Sequence, residues 1–267
     1  MDRVTGDGTV GKALEVLDQV AAFGRPVRFS EVLAKSDYPK PTLYRLVQTL
    51  TNQKMLSYDP DRQTYAPGLR LVRLAHAAWE QSTLAPIARP HIDALSAAVG
   101  ETVHLAQMDH AQVLYIDKRN AGQPVQMYSQ AGKIGPAYCT GVGKAMLAFC
   151  DPAVIEQLIA QQSFHRFTPQ TLTTAAALRD ELADIRAHGY GFDREEHEPG
   201  IICVAMPILS EAGRVLGALS VTSTISRTNL AGLEAYVPIL RETAAKIARD
   251  AQNWSFPDYD KTEKTGI

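Results

Sequence analysis

Residues 38–58 read YPKPTLYRLVQTLTNQKMLSY. The stretch carries Lys40, Arg45 and Lys54 and no Asp or Glu. Leu43, Leu46, Val47 and Leu50 recur at the spacing of one buried helix face, which predicts a helix from Pro41 to Gln53. Pro41 suits a first helical position, where no backbone donor is needed. Thr42, Tyr44, Arg45 and Gln48 are left to point outward from the first turns. Phosphate contacts call for cations, hydroxyls and helix N-terminal amides without nearby carboxylates, and all three are present. Composition alone does not separate this reading from a solvated face on an ordinary three-helix module. The segment directly after the helix tips the balance toward DNA.

Met55–Tyr58, the turn Asp59-Pro60-Asp61 and Gln63–Tyr65 alternate as a small β-hairpin. Upstream, Val10–Ala22 reads as a helix with an apolar stripe of Ala13, Leu14, Leu17, Val20 and Ala21, stopped by Gly24-Arg25-Pro26. A short helix comes next, with Ser30 as its expected N-cap and Val32, Leu33 and Ala34 as its apolar side. Asp37-Tyr38-Pro39 makes the turn into the third helix. Three helices and a hairpin over residues 6–68 form a winged helix-turn-helix plan. In it Arg45 and Gln48 are placed to read base edges, Lys40, Thr42 and Tyr44 to hold phosphates, and Arg62, at the wing tip, to reach the backbone or minor groove.

Pro67-Gly68 punctuates the chain, and residues 69–82 read as a linker helix, with Leu71, Leu74, Ala75, Ala78 and Trp79 on a face suited to packing between subunits. Residues 83–253 change in texture. Helices are expected at 88–99, 143–149, 152–161, 174–187 and 230–251. Strands are expected at 102–108, 112–117, 125–129, 202–209 and 215–222. Mixed strands with helices at both ends describe an α+β sensor domain. Residues 254–267 are a polar tail.

A length of 267 residues accommodates two domains. A composition 45% hydrophobic and 21% charged excludes a fully disordered chain. The formal charge of −2 excludes a polycation, so DNA binding must come from local charge placement. Three cysteines, Cys139, Cys150 and Cys203, without framework spacing fit a reducing compartment. Neither a signal-peptide pattern nor a run long enough to span a membrane is present, so a cytoplasmic protein with no membrane partner is expected.

Several blocks resemble the IclR family of regulators. Pro39-Lys40-Pro41-Thr42-Leu43-Tyr44-Arg45-Leu46 is similar to its recognition-helix opening, Pro-Lys-Ser-Thr-x-x-Arg. Tyr65-Ala66-Pro67-Gly68 resembles its Tyr-x-x-Gly, and residues 141–148, GVGKAMLA, its Gly-x-Gly-Lys-Ala-Leu-Leu-Ala. Residues 189–196, GYGFDREE, and 200–207, GIICVAMP, resemble its next two linked motifs. The blocks stand in the family's order across nearly the whole chain. Pro41 departs from the usual small hydroxyl residue, and Asn52-Gln53-Lys54 lacks the glycine common before the wing. The resemblance implies a winged helix-turn-helix, a linker helix and a C-terminal GAF-like α/β effector-binding domain. It also implies homodimers or homotetramers on palindromic double-stranded operators, often repressing catabolic operons in response to a small organic acid.

Gly141-Val142-Gly143-Lys144 invites a nucleotide reading, but a Walker A loop needs glycine at 138 and Ser or Thr at 145, where this chain has Tyr138 and Ala145. A glycine-bearing turn entering a helix still offers backbone N–H groups to a small carboxylate, unless the glycines serve only tight packing. By resemblance, Asp193, Ile201, Cys203, Ser220 and Thr222 complete the pocket begun by Gly141 and Val142. Ser220 and Thr222, two apart on one strand, share a face. Asp193 is placed to accept from a ligand hydroxyl or, protonated, to sit beside a carboxylate. Met127 and Tyr138 are wall candidates from position alone. His104, Cys139, Asp193, His197 and Cys203 show no metal-ligand spacing, so no metal or other cofactor is expected and the cysteines read as structural. The acidic run Glu195, Glu196 and Glu198 with His197 reads as a solvated loop or an interface latch. The alternative function is an enzyme using Cys203 or Cys139 with His197 or His104 as base, but no spacing fixes such a pair, and no catalytic residue is expected.

Overall fold

Leu43, Leu46, Val47 and Leu50 are all buried, as their spacing predicts. The structure is a computed structural model describing residues 8–82, 84–123 and 126–252. It divides into two units, residues 1–78 and 79–267. The first contains α1 (Gly8–Ala22), β1 (Val27–Arg28), α2 (Phe29–Lys35), α3 (Lys40–Asn52), β2 (Leu56–Asp59) and β3 (Thr64–Pro67). Helix α4 (Leu69–Ser82) carries the chain across the division. Val16, Leu17 and Val20 of α1, Val32 of α2 and the four α3 residues form one core with Val27, Leu56 and Tyr65. Leu14, expected in the α1 stripe, is instead half exposed, and Val16 takes the buried position.

Two local details depart from expectation. Ser30 does not cap α2; the helix begins at Phe29, and the backbone N–H of Arg28 donates to Glu31 Oε2 at 2.8 Å. The wing has a third strand, with order β1-β3-β2, because Val27 and Arg28 pair with Tyr65 and Thr64. Two residues are too few to show a period in sequence.

The missing glycine before the wing has a structural answer. Lys54 itself adopts the left-handed conformation, at φ 61°, and the Gly68 N–H donates to the Met55 carbonyl at 2.8 Å. A Cβ on Gly68 would overlap the Lys54 carbonyl oxygen. The glycine at 68 therefore lets the chain leaving the wing pass close against the chain entering it.

The second unit contains α5 (Ala85–Val99), β4 (Thr102–Asp109), β5 (Gln112–Arg119), β6 (Ile134–Pro136), α6 (Gly141–Leu147), α7 (Pro152–Ala160), α8 (Ala175–His188), β7 (Gly191–Arg194), β8 (Ile201–Leu209), β9 (Val215–Thr224), α9 (Leu230–Glu234) and α10 (Val237–Asp250). The strands form one antiparallel sheet in the order β6-β5-β4-β9-β8-β7. Side chains alternate across it. Val103, Leu105, Val204, Met206, Leu219 and Val221 pack against α5, α9 and α10. Ala106, Val113, Cys203, Ala205 and Ala218 face α6, α7 and α8. Burial on both faces explains why β8 reads as an unbroken apolar run.

Residues 126–129 form no strand; the edge strand is β6, paired with Gln112–Leu114. Val125 and the 254–267 tail lie outside the described residues. The helix expected at 230–251 is two helices, with Pro238 in the first turn of the second. Among the described residues no helix is long and apolar enough to cross a membrane.

Gly68→Ala is expected to lower unfolding free energy by roughly 1–3 kcal/mol through overpacking. Lys54→Gly is expected to raise it by roughly 0.5–1 kcal/mol by relieving the left-handed backbone. Calorimetric melting of both variants checks the pair; a harmless Gly68→Ala would contradict the packing at the wing base.

Candidate operator interface and effector cavity

In the first unit α3 exposes Lys40, Tyr44 and Arg45, while Thr42 and Gln48 are partly covered. Tyr44 is 54% exposed although its edge leans on Phe29, ring centroids 5.9 Å apart. Thr49, one turn beyond Arg45, is also exposed, and its hydroxyl donates to the Arg45 carbonyl at 2.9 Å. It extends the outward face beyond the positions expected from sequence. Arg62 stands exposed in the turn between β2 and β3. Asp59 Oδ1 shapes that turn by accepting from the backbone N–H groups of Asp61 at 3.0 Å and Arg62 at 3.1 Å.

In the second unit the strand register sets two rows of side chains on the sheet face toward α6. One runs Asp193, Cys203, Thr222 and Thr102 across β7, β8, β9 and β4. The next runs Ala205, Ser220, His104 and Lys118 across β8, β9, β4 and β5. Members of these rows and the start of α6 line a cavity of about 30 Å³, room for about one or two water molecules. Its walls include Met127, Gly141, Val142, Asp193, Ile201, Cys203, Ser220 and Thr222. The structure thus brings together eight of the nine residues expected there. Tyr138 is the exception: its ring lies in the core beneath α6, 5.3 Å from Phe164, and its hydroxyl donates to the His165 carbonyl at 2.6 Å.

His104, Tyr115, Ser129, Thr140, His197 and Glu198 also line the cavity, although none of them was expected there from sequence. His104 is the hub. Its Nδ1 lies 3.2 Å from Thr222 Oγ1 and 3.3 Å from Ser220 Oγ, and its Nε2 lies 2.8 Å from Ser129 Oγ. Burial, aided by the Lys118 charge, lowers the His104 pKa to about 3, so the ring is neutral. Asp193 moves oppositely: burial, then repulsion from Glu196, raises its carboxyl to about 7.

The acidic run is only partly solvated, with Glu195 and Glu198 half-buried. Glu196 is buried and ion-paired with Lys144, which is 0% exposed and also reaches Glu181 at 2.9 Å. The Glu196 N–H donates to Asp193 Oδ1 at 2.8 Å. Glu198 accepts from the Tyr128 N–H with both oxygens at 3.0 Å. Lys144 is therefore consumed by carboxylates, unlike the phosphate-binding lysine of a nucleotide loop. The α6 glycines are required by packing: a Cβ on Gly141 would overlap Cys203 Sγ, and one on Gly143 would come 2.5 Å from the Ala137 carbonyl oxygen. Burial raises the thiol pKa of Cys139 and Cys203, keeping both protonated. Among the described residues no group of three or more His, Cys, Asp or Glu is arranged to hold a metal ion.

A winged helix joined to a sheet domain with a buried polar cavity defines a two-domain, DNA-binding transcription regulator. Comparison with known proteins gives the family. Residues 9–60 match the IclR helix-turn-helix domain, and residues 76–249 match the bacterial transcriptional regulator IclR C-terminal domain. The HTH-type transcriptional regulator KdgR of Escherichia coli (strain K12) is 30% identical over 251 residues, 93% of this chain and 95% of that protein. The crystal structure of the Thermotoga maritima IclR superposes with a TM-score of 0.74 at 30% identity, covering 91% of this chain and 98% of that one. An IclR homologue from Microbacterium hydrocarbonoxydans, complexed with 4-hydroxybenzoate, superposes with a TM-score of 0.78 at 26% identity, covering 93% and 100%. The chain belongs to the IclR family of transcriptional regulators.

The Asp193 shift carries a sign that can be measured. The folded protein holds this proton up to about pH 7, whereas an unfolded Asp loses it near pH 3.9. The group's contribution is thus fully present below about pH 4 and is lost as pH rises toward 7. His104 works the other way, losing stability as pH falls from about 6.5 toward 3, so the parent's own profile mixes the two. Asp193→Asn keeps the acceptor for Glu196. It is expected to be more stable than the parent by a few kcal/mol at pH 8, with little gain at pH 4. Denaturant melts of both proteins across that range check it; a pH-independent difference would contradict the assignment.

Proposed function

We propose that this regulator binds a palindromic operator as a homodimer or homotetramer, represses a catabolic operon, and releases it when a small organic acid enters the cavity of its sheet domain in the cytoplasm. The observation that carries the reading is the cavity itself, where His104, the hydroxyls of Ser129, Ser220 and Thr222 and an Asp193 carboxyl that keeps its proton up to about pH 7 lie buried together. The polar side chains of the cavity bond to one another, as His104 does to Ser129, Ser220 and Thr222, and a carboxylate offers a further acceptor to the hydroxyls, to Asp193 when protonated and to the N–H groups at the start of α6. Further support comes from two relatives. The acetate operon repressor of Salmonella typhimurium is 30% identical over 227 residues, and the 4-hydroxybenzoate in the Microbacterium structure is a carboxylate.

At about 30 Å³ the cavity must widen to take an organic acid. Met127, whose unbranched thioether adapts readily, and the 126–130 segment form the wall suited to yield. A widened cavity favours a different subunit arrangement, in which the two recognition helices no longer match the half-site spacing.

A thermal-shift screen with small aliphatic, sugar and aromatic acids tests the sensing half, since a ligand at roughly 100 times its dissociation constant adds about 2.7 kcal/mol. Electrophoretic shifts on the promoters flanking the gene test the other half. Arg45→Ala is expected to lower specific affinity roughly 5- to 150-fold, the worth of one bidentate base contact. Ser220→Ala is expected to keep DNA affinity and blunt the acid's effect. The opposite pattern, or no specific binding at moderate salt, would overturn the assignment.

A further inference from the structure

We propose that His104 sets the polarity of the cavity: held as the Nδ1–H tautomer by Ser129 and Lys118, it turns Ser220 and Thr222 into hydrogen-bond donors and so selects a carboxylate over its neutral isosteres. The inference rests on the cavity being the effector site.

A neutral imidazole has one donor and one acceptor nitrogen, so the two ends of His104 must play opposite roles. Three observations assign them. The contact from Nε2 to Ser129 Oγ is short, 2.8 Å, the distance of a hydroxyl donor, whereas the contacts from Nδ1 are 3.2 and 3.3 Å, as for an N–H shared between two oxygens. Ser129 is buried, and if Nε2 carried the proton the Ser129 hydroxyl hydrogen would lose this acceptor. Lys118 Nζ donates to the carbonyl of the same Ser129 at 2.8 Å, which sets a positive charge beside the Nε2 end and favours a lone pair there.

The resulting chain has a direction. Ser129 donates to Nε2, and Nδ1–H donates to the oxygens of Thr222 and Ser220. Those two hydroxyls lie 3.3 Å apart, so one donates to the other and the second keeps its hydrogen for the cavity. In the other tautomer that remaining hydrogen is spent on Nδ1, and the site presents lone pairs that repel a carboxylate. His104 is thus a positioning residue, acting on the ligand through Ser220 and Thr222.

Two-bond 1H–15N correlation spectra of the 15N-labelled full chain read the tautomer directly, with His104 assigned by the signals missing from His104→Asn. The expected spectrum has Nδ1 protonated and Nε2 bare; a protonated Nε2 would overturn the proposal while leaving the cavity as effector site intact. Acetate and acetamide, titrated at constant ionic strength, are the probes. Acetate is expected to move the His104 signals with about tenfold tighter apparent affinity than acetamide, the ratio that about 1.4 kcal/mol of hydrogen bonding gives. Ser129→Ala is expected to shift population toward Nε2–H and erase that preference, and Ser129→Thr to restore both. Unchanged tautomer and preference in Ser129→Ala would overturn the proposal. An Nδ1–H ring that answers neither probe would overturn the effector reading, and the ligand selection with it.

Discussion

The antiparallel register of β8, β9 and β4 is the constraint on which the cavity of the sheet domain depends. It sets Ser220 opposite both Ala205 and His104, and Thr222 opposite both Cys203 and Thr102. The sheet is buried on both faces, so a slip of one residue would send these polar side chains toward α5 and α10 and bring Val221 and Leu219 under α6. The apolar face against α5, α9 and α10 enforces the register, and the polar cavity exists because that opposite face is satisfied.

Holding a carboxyl beside the cavity demands a second device. Asp193 sits at the edge of the sheet on β7, and the loop after it is tied down from several directions. Lys144 grips Glu196, and the hydroxyls of Thr168 and Thr171 each donate at 2.7 Å to the carbonyls of Glu195 and Glu196 respectively. A buried ion pair adds little net stability, but removing one partner is strongly destabilising. Here its effect is to fix the loop that positions Asp193 and to keep Lys144 out of the cavity.

Much of this was legible in the sequence where a pattern is local. The α3 stripe, the hairpin and the two long central strands carry their period within a dozen residues. Of the cavity residues, Asp193, Ile201, Cys203, Ser220 and Thr222 were reached through resemblance, Gly141 and Val142 also through the backbone N–H groups of a helix start, and Met127 from position alone. His104 and Ser129 were not reached, because His104 lies 25 residues from Ser129 and 116 and 118 from Ser220 and Thr222, and no spacing rule encodes their meeting. Tyr138 shows the reverse error: nearness to Gly141 in sequence says nothing of direction, and the turn into α6 points its ring into the core. The acidic run read as solvated because the partner of Glu196, Lys144, lies 52 positions away. Strand β7 stayed hidden because Gly191-Phe192-Asp193-Arg194 is too short and too charged for a propensity signal.

The central claim is that the two halves are coupled, and coupling must be reciprocal: if an acid changes operator affinity by some factor, the operator changes acid affinity by the same factor. The direct measurement is calorimetric titration of an acid identified by screening into the protein alone and into the protein saturated with operator DNA. The account predicts weaker acid binding in the DNA complex, by the factor that the acid imposes on operator affinity. Equal affinity in both states would contradict it.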